Sequence, residues 1–82
     1  NELSLVNLSV YPNPSQGVFA VSASVDMEFA YITDLSGKLI YTGDLKGNKA
    51  TIDVSPFANG TYFLSIQFAN EMIQTVRLEF VK

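Results

Sequence analysis

Eight carboxylates, with no histidine and no cysteine beside them, set the chemistry open to this 82-residue chain. Acid–base catalysis near neutral pH draws most often on histidine, and nucleophilic Ser-His or Cys-His arrangements cannot be assembled without one. Of the carboxylates, Asp26, Asp34, Asp44 and Asp53 stand apart from one another, as do the glutamates. Asp34 and Asp53 have the chemistry to share a proton or to hold calcium. A calcium loop, however, gathers several acidic residues at fixed short spacing, and no such loop occurs here. The plainer reading is that Asp34 caps its own turn and Asp53 lies on the solvent face of a strand. Gly43 to Gly47 is followed by no Gly-Lys-Ser/Thr and so is not a phosphate loop. Without thiols there is no thiolate metal site. These residues predict no catalytic group, no metal and no cofactor; the chain reads as a non-enzyme.

Binding chemistry is constrained in the same way. The net charge is −3, and the cations Lys38, Lys46, Lys49, Arg77 and Lys82 are scattered, whereas phosphate backbones require clustered ones. Nucleic acid is therefore not an expected partner. A sugar platform needs exposed flat rings; Trp is absent, and Tyr31 and Tyr41 fit cross-strand packing better. No apolar run approaches the roughly 18–20 residues that span a bilayer. Asn1-Glu2-Leu3-Ser4 also lacks the features of a signal peptide. The expectation is either a cytosolic protein or the downstream piece of a longer precursor.

The elements that must position any site are short and β-rich. With 48% hydrophobic and 16% charged residues, disorder is not expected, and the length allows one core. Leu3 to Tyr11 alternates, with Val6, Leu8 and Val10 on the cleaner apolar face. Tyr11-Pro12-Asn13-Pro14-Ser15-Gln16-Gly17 then breaks the ladder, because proline fixes φ and removes the amide donor. Val18 to Ala23 is a strand with no obvious inward face. Phe29 to Asp34 and Lys38 to Tyr41 flank Asp34-Leu35-Ser36-Gly37, which fits a type I turn with a glycine bulge. Gly43 to Asn48 is predicted to be a polar loop, followed by a short strand, Thr51 to Val54. Ser55 to Asn59 is predicted to connect two sheets, with Phe57 plugging the end of the core. Tyr62, Leu64, Ile66 and Phe68 form one apolar face, and Ala69-Asn70-Glu71 makes the last turn. In the final strand, Met72 to Val81, the residues Val76, Leu78 and Phe80 are predicted to point inward. The fold class predicted is all-β: a seven-stranded antiparallel β-sandwich, immunoglobulin-like in outline but without that fold's Cys and Trp.

Four motifs in order over most of the chain carry a resemblance. They are Pro12-Asn13-Pro14 with Gly17, Asp34-Leu35-Ser36-Gly37-Lys38, Gly60-Thr61-Tyr62-Phe63, and Val76-Arg77-Leu78-Glu79-Phe80-Val81-Lys82. The pattern resembles the type IX secretion system C-terminal sorting domain, type A, of Bacteroidetes-type bacteria. The resemblance implies that Pro12, Asn13, Pro14, Gly17, Asp34, Gly37, Lys38, Gly60, Tyr62, Arg77 and Lys82 form the recognition motif. It implies covalently attached N-terminal cargo, engagement by the outer-membrane translocon and its shuttle proteins, and removal by a sortase-like cysteine protease. Cleavage is expected around Asn1 to Ser4, in the end of a linker at 1–4, with the sorting domain at 5–82 and Lys82 at or near the precursor's terminus. The location implied is the periplasm in transit, then the outer membrane, cell surface or medium. A carbohydrate-binding or adhesion module of an extracellular enzyme is the alternative reading, and a stand-alone scaffold is a third.

Overall fold

The computed structural model describes residues 7–12 and 17–81. Within them are β1 (Leu8–Tyr11), β2 (Val18–Ala23), β3 (Met27–Thr33), β4 (Leu39–Asp44), β5 (Lys49–Asp53), β6 (Gly60–Phe68) and β7 (Ile73–Phe80), with no helix among the described residues. They form two antiparallel sheets, ordered β1-β2-β5 and β4-β3-β6-β7. The expected all-β double layer is present. β4 lies beside β3 rather than β5, unlike the order of an immunoglobulin constant domain, where the fourth strand joins the fifth. The expected boundary between linker and domain lies outside the described residues.

The facing surfaces of the sheets make the core. Phe19 and Val21 of β2, with Ile52 and Val54 at β5, meet Ala30, Ile32, Leu64, Ile66, Phe68, Leu78 and Phe80 from the other sheet, all essentially solvent-free. Leu8 and Val10 pack against this core, as the alternation of β1 predicts. The inward face of β2, ambiguous in its own sequence, follows from its partner. Phe19 opposes Ile52 and Val18 opposes Asp53, so the polar–apolar alternation of β5 decides which way β2 turns. β6 has neighbours on both sides, and Tyr62, Leu64, Ile66 and Phe68 on its inner face are all buried. Its buried polar residue, Ser65, shares a 2.9 Å hydrogen bond with Thr75 of β7.

Two turns share one geometry. The Gly37 amide donates to the Asp34 carbonyl at 3.0 Å, and the Asp34 amide donates to the Lys38 carbonyl at 3.0 Å. At the β6–β7 turn the Glu71 amide donates to the Phe68 carbonyl at 2.9 Å, and the Phe68 amide to that of Met72 at 2.8 Å. The fourth turn residue is left-handed in both, with φ of +88° at Gly37 and +71° at Glu71. A Cβ in that region crowds the following carbonyl, and glycine escapes the clash. Glu71→Gly is therefore expected to stabilise the domain by about 0.5–1 kcal/mol, and Gly37→Ala to destabilise it by about 1 kcal/mol. Urea midpoints would show both, and equal shifts of the same sign would refute the comparison.

One expectation is corrected. Gly43 to Asn48 is not a loop from its start: Gly43 and Asp44 belong to β4, Gly43 opposes Ala30, and Leu45 is buried with its amide on the Glu28 carbonyl at 3.0 Å. A side chain at Gly43 would meet the Tyr41 hydroxyl at 2.6 Å. The Tyr41 ring thus fills the place a strand residue would normally give to its own side chain, and what looks like a turn glycine is a packing glycine.

Candidate functional site

The carboxylates singled out by sequence are occupied locally. Asp34 Oδ1 accepts from the Ser36 hydroxyl at 2.6 Å, the Ser36 amide at 2.9 Å and the Lys38 amide at 3.1 Å. Asp53 Oδ1 accepts from the Ser55 amide at 2.9 Å. The Ser36 hydroxyl, then the Lys38 amide, hold the Asp34 carboxyl below its ordinary 3.8, with a smaller opposing effect of desolvation. The Ser55 hydroxyl and amide lower Asp53 in the same way. Both are turn caps, and no group of three or more potential metal ligands exists among the described residues.

A pH dependence follows. Each carboxyl binds its proton more weakly in the folded chain than in the unfolded one. The stability it confers is complete above the unfolded value near 3.8 and is lost as pH falls through the lower folded value. Thermal melts at stepped pH are expected to show a fall in Tm below that value, with a shallower fall in an Asp34→Ala/Asp53→Ala double variant. Identical slopes in the two proteins would contradict the assignment.

The tyrosines do not build a flat platform. Tyr31 opposes Thr42 while Tyr41 opposes Ile32, so the two rings lie on opposite faces of the sheet. Tyr31 sits beside Phe29 with ring centres 6.0 Å apart and planes inclined by 44°. Tyr41 packs against the core.

The motif residues, far apart in sequence, are brought together at one end of the sandwich. Within the first sheet, Tyr11 pairs with Ala20 and Val18 with Asp53, so the end of β1, the start of β2 and the end of β5 coincide. In the second sheet, Thr33 pairs with Leu39 and Phe63, and Gly60 pairs with Phe80, so the 34–38 turn, the start of β6 and the end of β7 coincide. The connection at 54–59 carries the chain from the end of β5 to the start of β6, which aligns these two ends. Pro12, Gly17, Asp34, Gly37, Lys38, Gly60 and Tyr62 all fall there. Asn13, Pro14 and Lys82 lie outside the described residues. Arg77 lies opposite Phe63, in the same row as Thr33 and Leu39 at the rim of this end, where its guanidinium meets the Glu79 carboxylate at 2.7 Å.

Each residue has a local reason for its place. The Gly17 carbonyl accepts from the Val54 amide at 2.7 Å and so ties β2 to β5, and the Tyr11–Pro12 bond is cis. Gly60 has φ of +155°, open to glycine. The buried Tyr62 donates its hydroxyl to the Ala58 carbonyl and lies 6.0 Å from the Phe57 ring, closing the end of the core as expected of Phe57. Asp34, Gly60 and Tyr62 line one shallow depression together with Leu35, Ser36, Asn59 and Thr61. Leu35, which lines this depression and is 70% exposed, is not among the motif residues. The signal for it is an apolar residue at the second position of a solvent-facing turn.

The sequence model of one protein family, described as a secretion system C-terminal sorting domain, matches residues 9–78. No curated protein matches the chain.

Proposed function

The chain belongs to the secretion system C-terminal sorting domain family of type IX export, and on that footing we propose that it is the address on an exported precursor, read by proteins of the outer-membrane translocon and its shuttle. The cargo is joined at the N-terminal side. The precursor passes through the periplasm, and the cargo ends at the cell surface or in the medium. A sortase-like cysteine protease then cuts near Asn1 to Ser4 and removes the domain, whose own part in that step is that of substrate. The observation that carries this reading is the family match from 9 to 78, which spans the motif from Pro12 to Arg77 in order. The gathering of the described motif residues at one end of the fold is consistent with a surface that is read as a unit. The inclined Phe29–Tyr31 pair lends the carbohydrate-binding alternative no support.

The genetic test is a reporter carrying an N-terminal export signal and this chain at its C-terminus, placed in strains with and without the type IX translocon. The reporter is expected outside the outer membrane in the first strain and in the periplasm of the second. Equal release from both would refute the proposal.

A further inference from the structure

Among the described residues the two sheets end in four edge strands, β1 and β5 in the first and β4 and β7 in the second. A sheet edge is a template for another strand wherever the two can match. β4 carries a register shift between Ile32 and Thr33 that interrupts its edge. In β7 the charges of Arg77 and Glu79 already meet each other. β1 is four residues long, Leu8–Tyr11, and has no charge to fix a register. β5, Lys49–Asp53, keeps one unbroken register along β2 and carries a charge at each end.

Hydrogen bonds at the two ends of the β2–β5 pairing fix which backbone groups of β5 face outward. The Ala23 amide donates to the Asn48 carbonyl at 2.9 Å, and the Val54 amide to the Gly17 carbonyl at 2.7 Å. Antiparallel bonding alternates along a strand, so Ala50 and Ile52 also turn their backbone groups to β2. Lys49, Thr51 and Asp53 turn theirs away from it, and their three side chains are exposed on one face. The outward set reads cation, hydroxyl, carboxylate, evenly spaced about Thr51. Turned end for end, this strand complements itself: Thr51 meets Thr51, and Lys49 meets Asp53 on both sides. Bonding parity agrees, because each such pair joins two residues with outward backbone groups. A slip of two residues in either direction keeps the parity and loses both Lys–Asp pairs.

We infer that two copies of this chain associate by antiparallel pairing of β5 with β5 about a two-fold axis at Thr51, joining two three-stranded sheets into one. The occupant of the edge is a second copy because the order of charges along β5 matches its own reverse. Opposite charges and paired threonines directly across two strands both favour the contact. Asp53 keeps its bond from the Ser55 amide, since a carboxylate has sites for further donors. A contact of one short strand is well below the area of a permanent dimer, so the association is weak and reversible. The paired strands run in opposite directions, so the motif-bearing ends of the two copies point apart and both stay open. The inference goes beyond the sorting reading and does not depend on it.

Sedimentation equilibrium of the purified chain, from about 10 μM to about 1 mM, is expected to show monomers passing into dimers with Kd on the order of 0.1–1 mM. Lys49→Glu sets like charges opposite each other and is expected to weaken the dimer about tenfold. Lys49→Glu/Asp53→Lys restores opposite charges across the axis, and its Kd is expected within about threefold of the wild type. Thr51→Pro removes the donor at the axis, a change an edge strand tolerates, and is expected to abolish the dimer. Circular dichroism melts establish that each variant folds, and either Lys49→Glu or Thr51→Pro suffices if the other does not. Amides of Lys49, Thr51 and Asp53 are expected to exchange more slowly as concentration rises. A wild-type chain that stays monomeric throughout this range would overturn the inference. So would dimers that folded Lys49→Glu or Thr51→Pro leaves unchanged, or exchange that slows at Thr75 and not at Thr51, which would assign the contact to β7. Every readout is made on the purified chain, so none depends on whether a fused reporter is exported.

Discussion

Phe80→Ala is expected to lower the unfolding free energy by about 3–5 kcal/mol, which is most of what a domain of this size has. Phe80 is fully buried in the last residue of β7, at an edge of the four-stranded sheet, and is held from one side by the pairing with Gly60. Gly60 brings no side chain to the contact, so nothing on that partner can move into the space a missing ring would leave. The lost transfer energy and the retained cavity therefore add. Leu78, equally buried two residues earlier, leaves the strand a second anchor, which is why the expected result is a marginal domain rather than a simply shortened strand. Urea denaturation followed by circular dichroism reads this directly. A loss under about 1 kcal/mol would mean that the end of β7 is not the structural member described here.

Tyr62 offers the second large effect and a way to divide it. Its ring is buried against Phe57, and its hydroxyl holds the Ala58 carbonyl, so one side chain fixes the connection between the sheets at the motif end. Tyr62→Ala is expected to cost about 3–5 kcal/mol through ring loss and cavity. Tyr62→Phe keeps the ring and removes the bond, for an expected cost of about 0.5–1.5 kcal/mol. The same hydroxyl loss is expected to speed hydrogen exchange around 57–60 while leaving β2 and β3 as protected as before. Equal costs for the two substitutions would place the residue's role in the hydroxyl alone and contradict the packing argument.

Much of this arrangement is legible in the chain where local chemistry and long-range packing agree. Asp34 and Gly37 define their turn by side-chain capping and a left-handed residue, and the structure has both. The strict alternation of β6 and of β7 gives their inward faces without a partner. β2 was ambiguous because Val18 and Phe19 offer two apolar faces, and only the pairing of β5 selects one. Gly43 followed by aspartate has turn composition, while its real constraint is the ring of Tyr41 lying over it. The second left-handed position was hidden because glutamate occupies it. The candidate surface was legible as motif residues but not as a place. Pro12, Asp34 and Gly60 meet through strand registers in two sheets, and registers are set by contacts between distant segments.

An address is separable from its cargo, and that property can be measured. In one strain possessing the type IX translocon, the fraction of a periplasm-targeted reporter found outside the outer membrane should be compared with and without residues 1–82 fused to its C-terminus. Release that requires the fused domain is the predicted result; a reporter that stays in the periplasm despite carrying the folded domain would contradict the account.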